Sequence, residues 1–148
     1  IESTNSNKYE TWVTIVPELK NFCSKLNLPE EELILRVNQY LGLLPDSKRN
    51  YLNSIWVSPK DLFRPCHDPE ITDSKCDLDY PKNVSKDHKK WFEKAKEDNK
   101  KYPWTRLGYT ADWGKDEPYI GASEFLIRKG AAIEVESVKT VKEYCSGE

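Results

Sequence analysis

The stretch Ser123-Glu124-Phe125-Leu126-Ile127-Arg128-Lys129-Gly130-Ala131-Ala132-Ile133-Glu134-Val135-Glu136-Ser137-Val138 decides how the chain is read. Ser123 to Lys129 and Ala132 to Val138 alternate or cluster in the manner of strands, with β-branched and aromatic residues that suit a pleated, half-buried surface. Lys129-Gly130 between them has the composition of a tight turn. The pattern predicts a strand, a hairpin turn and a second strand. Thr105 to Trp113, upstream, has the same character and predicts a further strand, so the C-terminal part reads as a mainly antiparallel sheet.

The preceding chain changes period. Pro17 suits a first helical position, and Leu19, Phe22, Cys23 and Leu26 follow at i, i+3, i+4 and i+7. Pro29 opens a second helix, where Glu30, Glu31 and Glu32 favour the positive end of the helix dipole and Ile34, Val37, Leu41 and Leu44 form the apolar stripe. These two segments predict an antiparallel helical hairpin. Thr11 to Val16 reads as a short extended piece, Pro45-Asp46-Ser47 as a turn and Tyr51 to Val57 as a strand. Ser58-Pro59-Lys60-Asp61 then has the cap, proline and acid that begin a short helix, expected to carry Leu62 and Phe63. Ser85 is placed to cap a third helix, with His88, Trp91, Phe92 and Ala95 on one side. Eight lysines between Lys82 and Lys101 crowd its remainder. Helices first and strands last predict an α+β fold, with the helical hairpin and the lysine-rich helix packed on the C-terminal sheet. Residues 1–8 are polar and read as a flexible N-terminus, leaving 9–148 as a single domain.

Composition bounds the functions open to such a domain. Charged residues make up 32% of the 148 positions, yet five Trp, eight Tyr and four Phe supply large apolar bodies that disordered chains lack. The net charge of −2 argues against a nucleic-acid partner engaged through overall basicity. The apolar run Leu33 to Leu44 is interrupted by Arg36, Asn38 and Gln39, so no membrane span is expected. A chain that starts at Ile1 and contains no Met reads as a processed product.

Four cysteines without a CxxC pair favour structural bridges, and with them a secreted or periplasmic setting. Three pairings are possible. The preferred one joins Cys66 to Cys76 across the polar loop Pro65 to Pro81, and Cys23 to Cys145 between an early helix and the C-terminus. Cys66-His67-Asp68 lacks the paired spacing of a zinc site, and the acidic loop lacks the EF-hand pattern, so no metal is expected.

The densest aromatic segment is Tyr102-Pro103-Trp104-Thr105-Arg106-Leu107-Gly108-Tyr109-Thr110-Ala111-Asp112-Trp113-Gly114, continued by Tyr119. Trp104, Tyr109, Trp113 and Tyr119 offer flat apolar faces while Arg106 can fork onto a carboxylate or phosphate, a division of labour common in ligand sites. The expectation is an extracytoplasmic domain that binds a small molecule or a protein partner through this aromatic and arginine surface, without a cofactor.

The acid entering an apolar strand in Ser123-Glu124-Phe125-Leu126-Ile127, followed by a glycine turn and a second strand, is similar to the segment that carries the catalytic glutamate in ADP-ribosyltransferase-like enzymes. The resemblance implies an alternative, a small secreted enzyme using NAD, with Glu124 steadying the ribose as the glycosidic bond breaks. It further implies an upstream arginine as phosphate clamp, either Arg64 or Arg106. Of these residues, only Glu124 falls on a motif position.

Overall fold

The computed structural model describes residues 4–147. Its centre is the strand β7, Phe125–Ile127, all three residues of which are buried. A strand apolar on both faces needs ladder partners on both edges and cover on both sides. It finds the partners in β2, Thr11–Val13, and β4, Leu62–Phe63, both antiparallel to it. A second sheet is built around the nine-residue β8, Ala132–Thr140, flanked by β1, Thr4–Ser6, and β3, Tyr51–Val57. A two-stranded sheet pairs β5, Tyr109–Ala111, with β6, Ile120–Ser123.

The helices are α1, Glu18–Cys23, α2, Glu30–Tyr40, α3, Lys86–Asp98, and α4, Val141–Ser146. The architecture is α+β with antiparallel sheets and two disulfides, Cys23–Cys145 and Cys66–Cys76, the preferred pairing. One core cluster joins Leu19 and Cys23 of α1, Leu33, Val37 and Tyr40 of α2, Ala122 of β6, and Val141 and Cys145 of α4. The short α4 packs on both α1 and α2, so the two predicted helices are joined through a third that sequence periodicity did not reveal. Thr140 accepts a hydrogen bond from the Glu143 amide while the Glu143 carboxylate accepts one from the Thr140 amide, a reciprocal cap that lets so short a helix start.

Around α3 the aromatics form a second packed region. Ser85 caps the helix by accepting from the His88 amide. Trp91 meets Phe63 of β4 edge to face at 4.8 Å, Phe92 meets Trp104 at 5.6 Å, and the His88 ring donates to the Cys66 carbonyl at 2.7 Å. The lysines remain on the outside, three of them in short-range ion pairs along the helix.

Four expectations change. Lys129-Gly130 does not close a hairpin, because β7 and β8 belong to different sheets; Gly130, at φ 83°, turns the chain from one to the other. Thr105 to Trp113 is a strand only at Tyr109–Ala111. Arg106 at φ 63° and Gly108 at φ 83° are left-handed and break the extension, and Trp104 returns to pair with Thr110 in an isolated bridge. Leu62 and Phe63 follow the 3₁₀ turn Pro59–Asp61 as strand β4 rather than riding on it. Ser123 to Lys129 is two strands, interrupted at Glu124. Of the tail 1–8, residues 1–3 lie outside the described residues, while Thr4–Ser6 are β1.

Candidate functional site

Glu124 is the single residue between β6 and β7, at the point where the chain leaves one sheet for another. Its amide donates to the Gly108 carbonyl at 2.9 Å, which fixes the backbone. Its side chain has no such anchor: Oε2 is buried without a hydrogen-bond partner. Burial pushes the carboxyl up to about 8, against the opposing pull of the Arg64 guanidinium. Near neutral pH this group therefore holds its proton.

Glu124 lines a cavity of about 480 Å³. The wall is assembled from distant parts of the chain: Thr11 and Trp12 of β2, Val37 and Asn38 of α2, Tyr51 and Leu52 of β3, and Tyr102, Trp104 and Thr110 near β5. The indoles of Trp12 and Trp104 meet edge to face, with centroids 5.4 Å apart and planes at 84°, so they form a corner. Trp104 is held there by its bridge to Thr110 and by Phe92 behind it. Its Nε1 is buried and, like Glu124 Oε2, has no partner. Glu10 and Arg49 contribute charge at exposed positions of the same cavity. A neighbouring cavity of about 240 Å³ shares Trp12, Leu41, Leu43, Leu52, Thr110 and Glu124 with the first.

The other buried polar side chains of the wall are spent. Asn38 donates to the Ile34 and Arg49 carbonyls at 2.7 and 2.9 Å and accepts from Ser47 and the Arg49 amide. Thr110 donates to the Tyr40 carbonyl at 2.6 Å and accepts from the Ala122 amide at 2.8 Å. Buried polar groups are nearly always hydrogen-bonded, since stripping one of water without replacement costs about 1 to 3 kcal/mol. Two unmet groups on one cavity are thus a specific feature of this wall.

Of the residues expected to bind a ligand, Trp104 alone lines the larger cavity. Trp113 donates its Nε1 to the Leu43 carbonyl at 2.8 Å, a link inside the fold. Tyr109 lies half-buried on β5 and Tyr119 is exposed beside it, neither on a cavity wall. Arg106 is exposed on the left-handed turn, away from both cavities. Arg64 is buried near enough to Glu124 to act on its charge, is stacked on Phe125 at 4.7 Å, and its terminal nitrogens donate to the Asp73 and Gly108 carbonyls at 2.9 and 2.8 Å. Of the three residues considered for catalysis, Glu124 and Arg64 are neighbours and Arg106 stands apart. Trp12, Tyr51 and Arg49 were not anticipated, because a lone aromatic on a short strand has no motif to mark it. Among the described residues no group of three or more His, Cys, Asp or Glu side chains could hold a metal ion. No helix there is long and apolar enough to cross a membrane.

Comparison with protein-family models, with curated proteins and with solved structures finds no match for this chain.

Proposed function

We propose that this is a secreted or periplasmic binding domain that takes a small molecule into the cavity walled by Trp12, Trp104 and Glu124. The observation that carries the reading is the coincidence on one wall of two buried, unpartnered polar atoms, Glu124 Oε2 and Trp104 Nε1, with the unpartnered Nε of Arg64 near Glu124. Sites for small molecules combine a mostly apolar concavity with a few placed polar groups, and a volume of this size fits a metabolite or a drug-sized ligand. The two disulfides support an oxidising setting. The recognition surface is thereby moved from the exposed aromatic and arginine segment to the cavity behind it.

A second reading keeps the same cavity and makes Glu124 an acid acting on a glycosidic bond such as that of NAD. What favours it is the proton that burial keeps on this carboxyl near neutral pH, the state a general acid needs. Arg64, with both terminal nitrogens donating to backbone carbonyls, lends this reading no free phosphate clamp. One experiment addresses both. A thermal-shift screen of small polar metabolites, NAD among them, is expected to find ligands that raise the melting temperature, with about 2.7 kcal/mol of stabilisation at a hundredfold excess over Kd. Loss of NAD on incubation, abolished by Glu124→Gln, selects the enzyme; stabilisation without turnover selects the binder. A screen with neither outcome removes both.

A further inference from the structure

We infer that the cavity takes a small organic cation, an ammonium group with an oxygen acceptor a few bonds away, its charge set against Glu124 and its oxygen against the Trp104 indole N–H. This rests on the reading of the cavity as a binding site and adds the chemical class of the occupant.

The wall chemistry is that of an aromatic cage. The faces and edges of Trp12 and Trp104 stand perpendicular at one corner, with Tyr51 and Tyr102 as further rings on the same wall. Aromatic faces attract cations within about 6 Å, and desolvated examples are worth about 2 kcal/mol. A carboxyl whose Oε2 has no hydrogen bond stands in this setting, and a ligand ammonium supplies the opposite charge that it lacks. The charge balance admits a cation. At neutral pH the Arg64 and Glu124 pair carries a surplus positive charge, because Glu124 keeps its proton beside the guanidinium. An ammonium that displaces this proton leaves the local charge unchanged and gains an ion pair with the carboxylate, whereas a neutral ligand gains none. Trp104 Nε1 can only donate, so the same ligand needs an acceptor oxygen to satisfy it.

Displacement of a proton makes the affinity pH-dependent. The other charged or titratable groups around Glu124 are Arg64 near it, Glu10, Arg49, Tyr51 and Tyr102 on the larger cavity, and Tyr144 on the smaller. The variant Glu124→Gln separates its contribution from theirs.

Three probes of one shape test the assignment by titration calorimetry: choline, its uncharged isostere 3,3-dimethyl-1-butanol, and 3,3-dimethylbutanoate. Choline carries a fixed charge, so any pH dependence of its binding belongs to the protein. It is expected to bind at least about tenfold tighter than the alcohol at pH 8.5, a difference of about 1.4 kcal/mol. Its affinity should fall by up to about tenfold per pH unit from pH 8 to pH 6 as the carboxyl regains its proton. Glu124→Gln should abolish both the preference and the slope, and its unchanged circular dichroism would show that the fold persists. Equal binding of choline and the alcohol, or preference for the carboxylate, overturns the cation while leaving a ligand-binding cavity. Absence of binding by all three also overturns it, and the metabolite screen judges the cavity independently.

Discussion

Asp112 and Glu124 are two carboxyls withdrawn from water in the same chain, and they meet opposite fates. Asp112, on the turn after β5, is 1% exposed and accepts two hydrogen bonds of 2.8 Å from Arg36 of α2, with a third from the Gly114 amide at 3.0 Å. Burial raises its carboxyl, but the Arg36 fork and the Gly114 amide outweigh burial and hold it below the usual carboxylate range. Glu124 has burial without such bonds and rises to about 8. Desolvation has one sign at both sites, so the hydrogen-bond partners decide the outcome. Asp112 ties α2 to the β5 turn, whereas the acid of Glu124 satisfies nothing within the fold.

The largest test of that contrast is pH. Glu124 binds a proton more tightly folded than unfolded, so between about pH 4.5 and 8 the native state holds the extra proton. Stability conferred by this group is present at low pH and is lost as pH rises through about 8. A raise of several pH units at about 1.4 kcal/mol each amounts to a penalty on the order of 5 kcal/mol above that point. Glu124→Gln should remove it, so that urea midpoints of variant and wild type diverge, in favour of the variant, from pH 5 to pH 8.5. Parallel curves would mean that the carboxyl reaches water or a partner.

Asp112 runs the other way. Its stabilisation is complete above the unfolded carboxyl value and disappears as pH falls through the depressed folded value. Asp112→Ala should cost about 3 to 5 kcal/mol in urea unfolding at pH 7, because it strands the Arg36 guanidinium and breaks a bidentate pair. A cost below about 1 kcal/mol would place this pair with ordinary surface salt bridges.

Trp104→Phe gives the smallest effect on stability and sharpens the functional side of the contrast. The ring contacts with Trp12 and Phe92 are largely kept while the unpartnered N–H is deleted, so unfolding free energy should move by no more than about 1 kcal/mol. Ligand affinity in the cavity should fall nonetheless. A large loss of stability with unchanged binding would return Trp104 to a purely packing role.

Much of the fold was legible because its signals are local. Pro17, Pro29 and Ser85 each stand immediately before a helix, and Tyr51–Val57 is a strand in the predicted place. The cap of α4 was also written in the chain as Thr140-Val141-Lys142-Glu143, but six residues are too few for periodicity to show a helix there. What could not be read is non-local. Nothing near Lys129-Gly130 says that β7 and β8 part, since β7 is claimed by β2 and β4 from far upstream. The cavity depends on the same long-range pairing: Val13 opposite Phe125 brings Trp12 beside Glu124. Glu124 drew notice through a local resemblance, and its burial, the property that distinguishes it, emerged only with the three-dimensional arrangement.

The loop between Cys66 and Cys76 has a consequence for how the folded chain survives proteolysis. Asp73, Ser74 and Lys75 are exposed there, within reach of trypsin-like digestion. A cut after Lys75 severs the backbone, yet the Cys66–Cys76 bridge spans the break and Cys23–Cys145 joins the two fragments a second time. A clipped molecule would migrate as one species on a gel without reductant and as two with it, and its cavity walls would stay on the same covalent body.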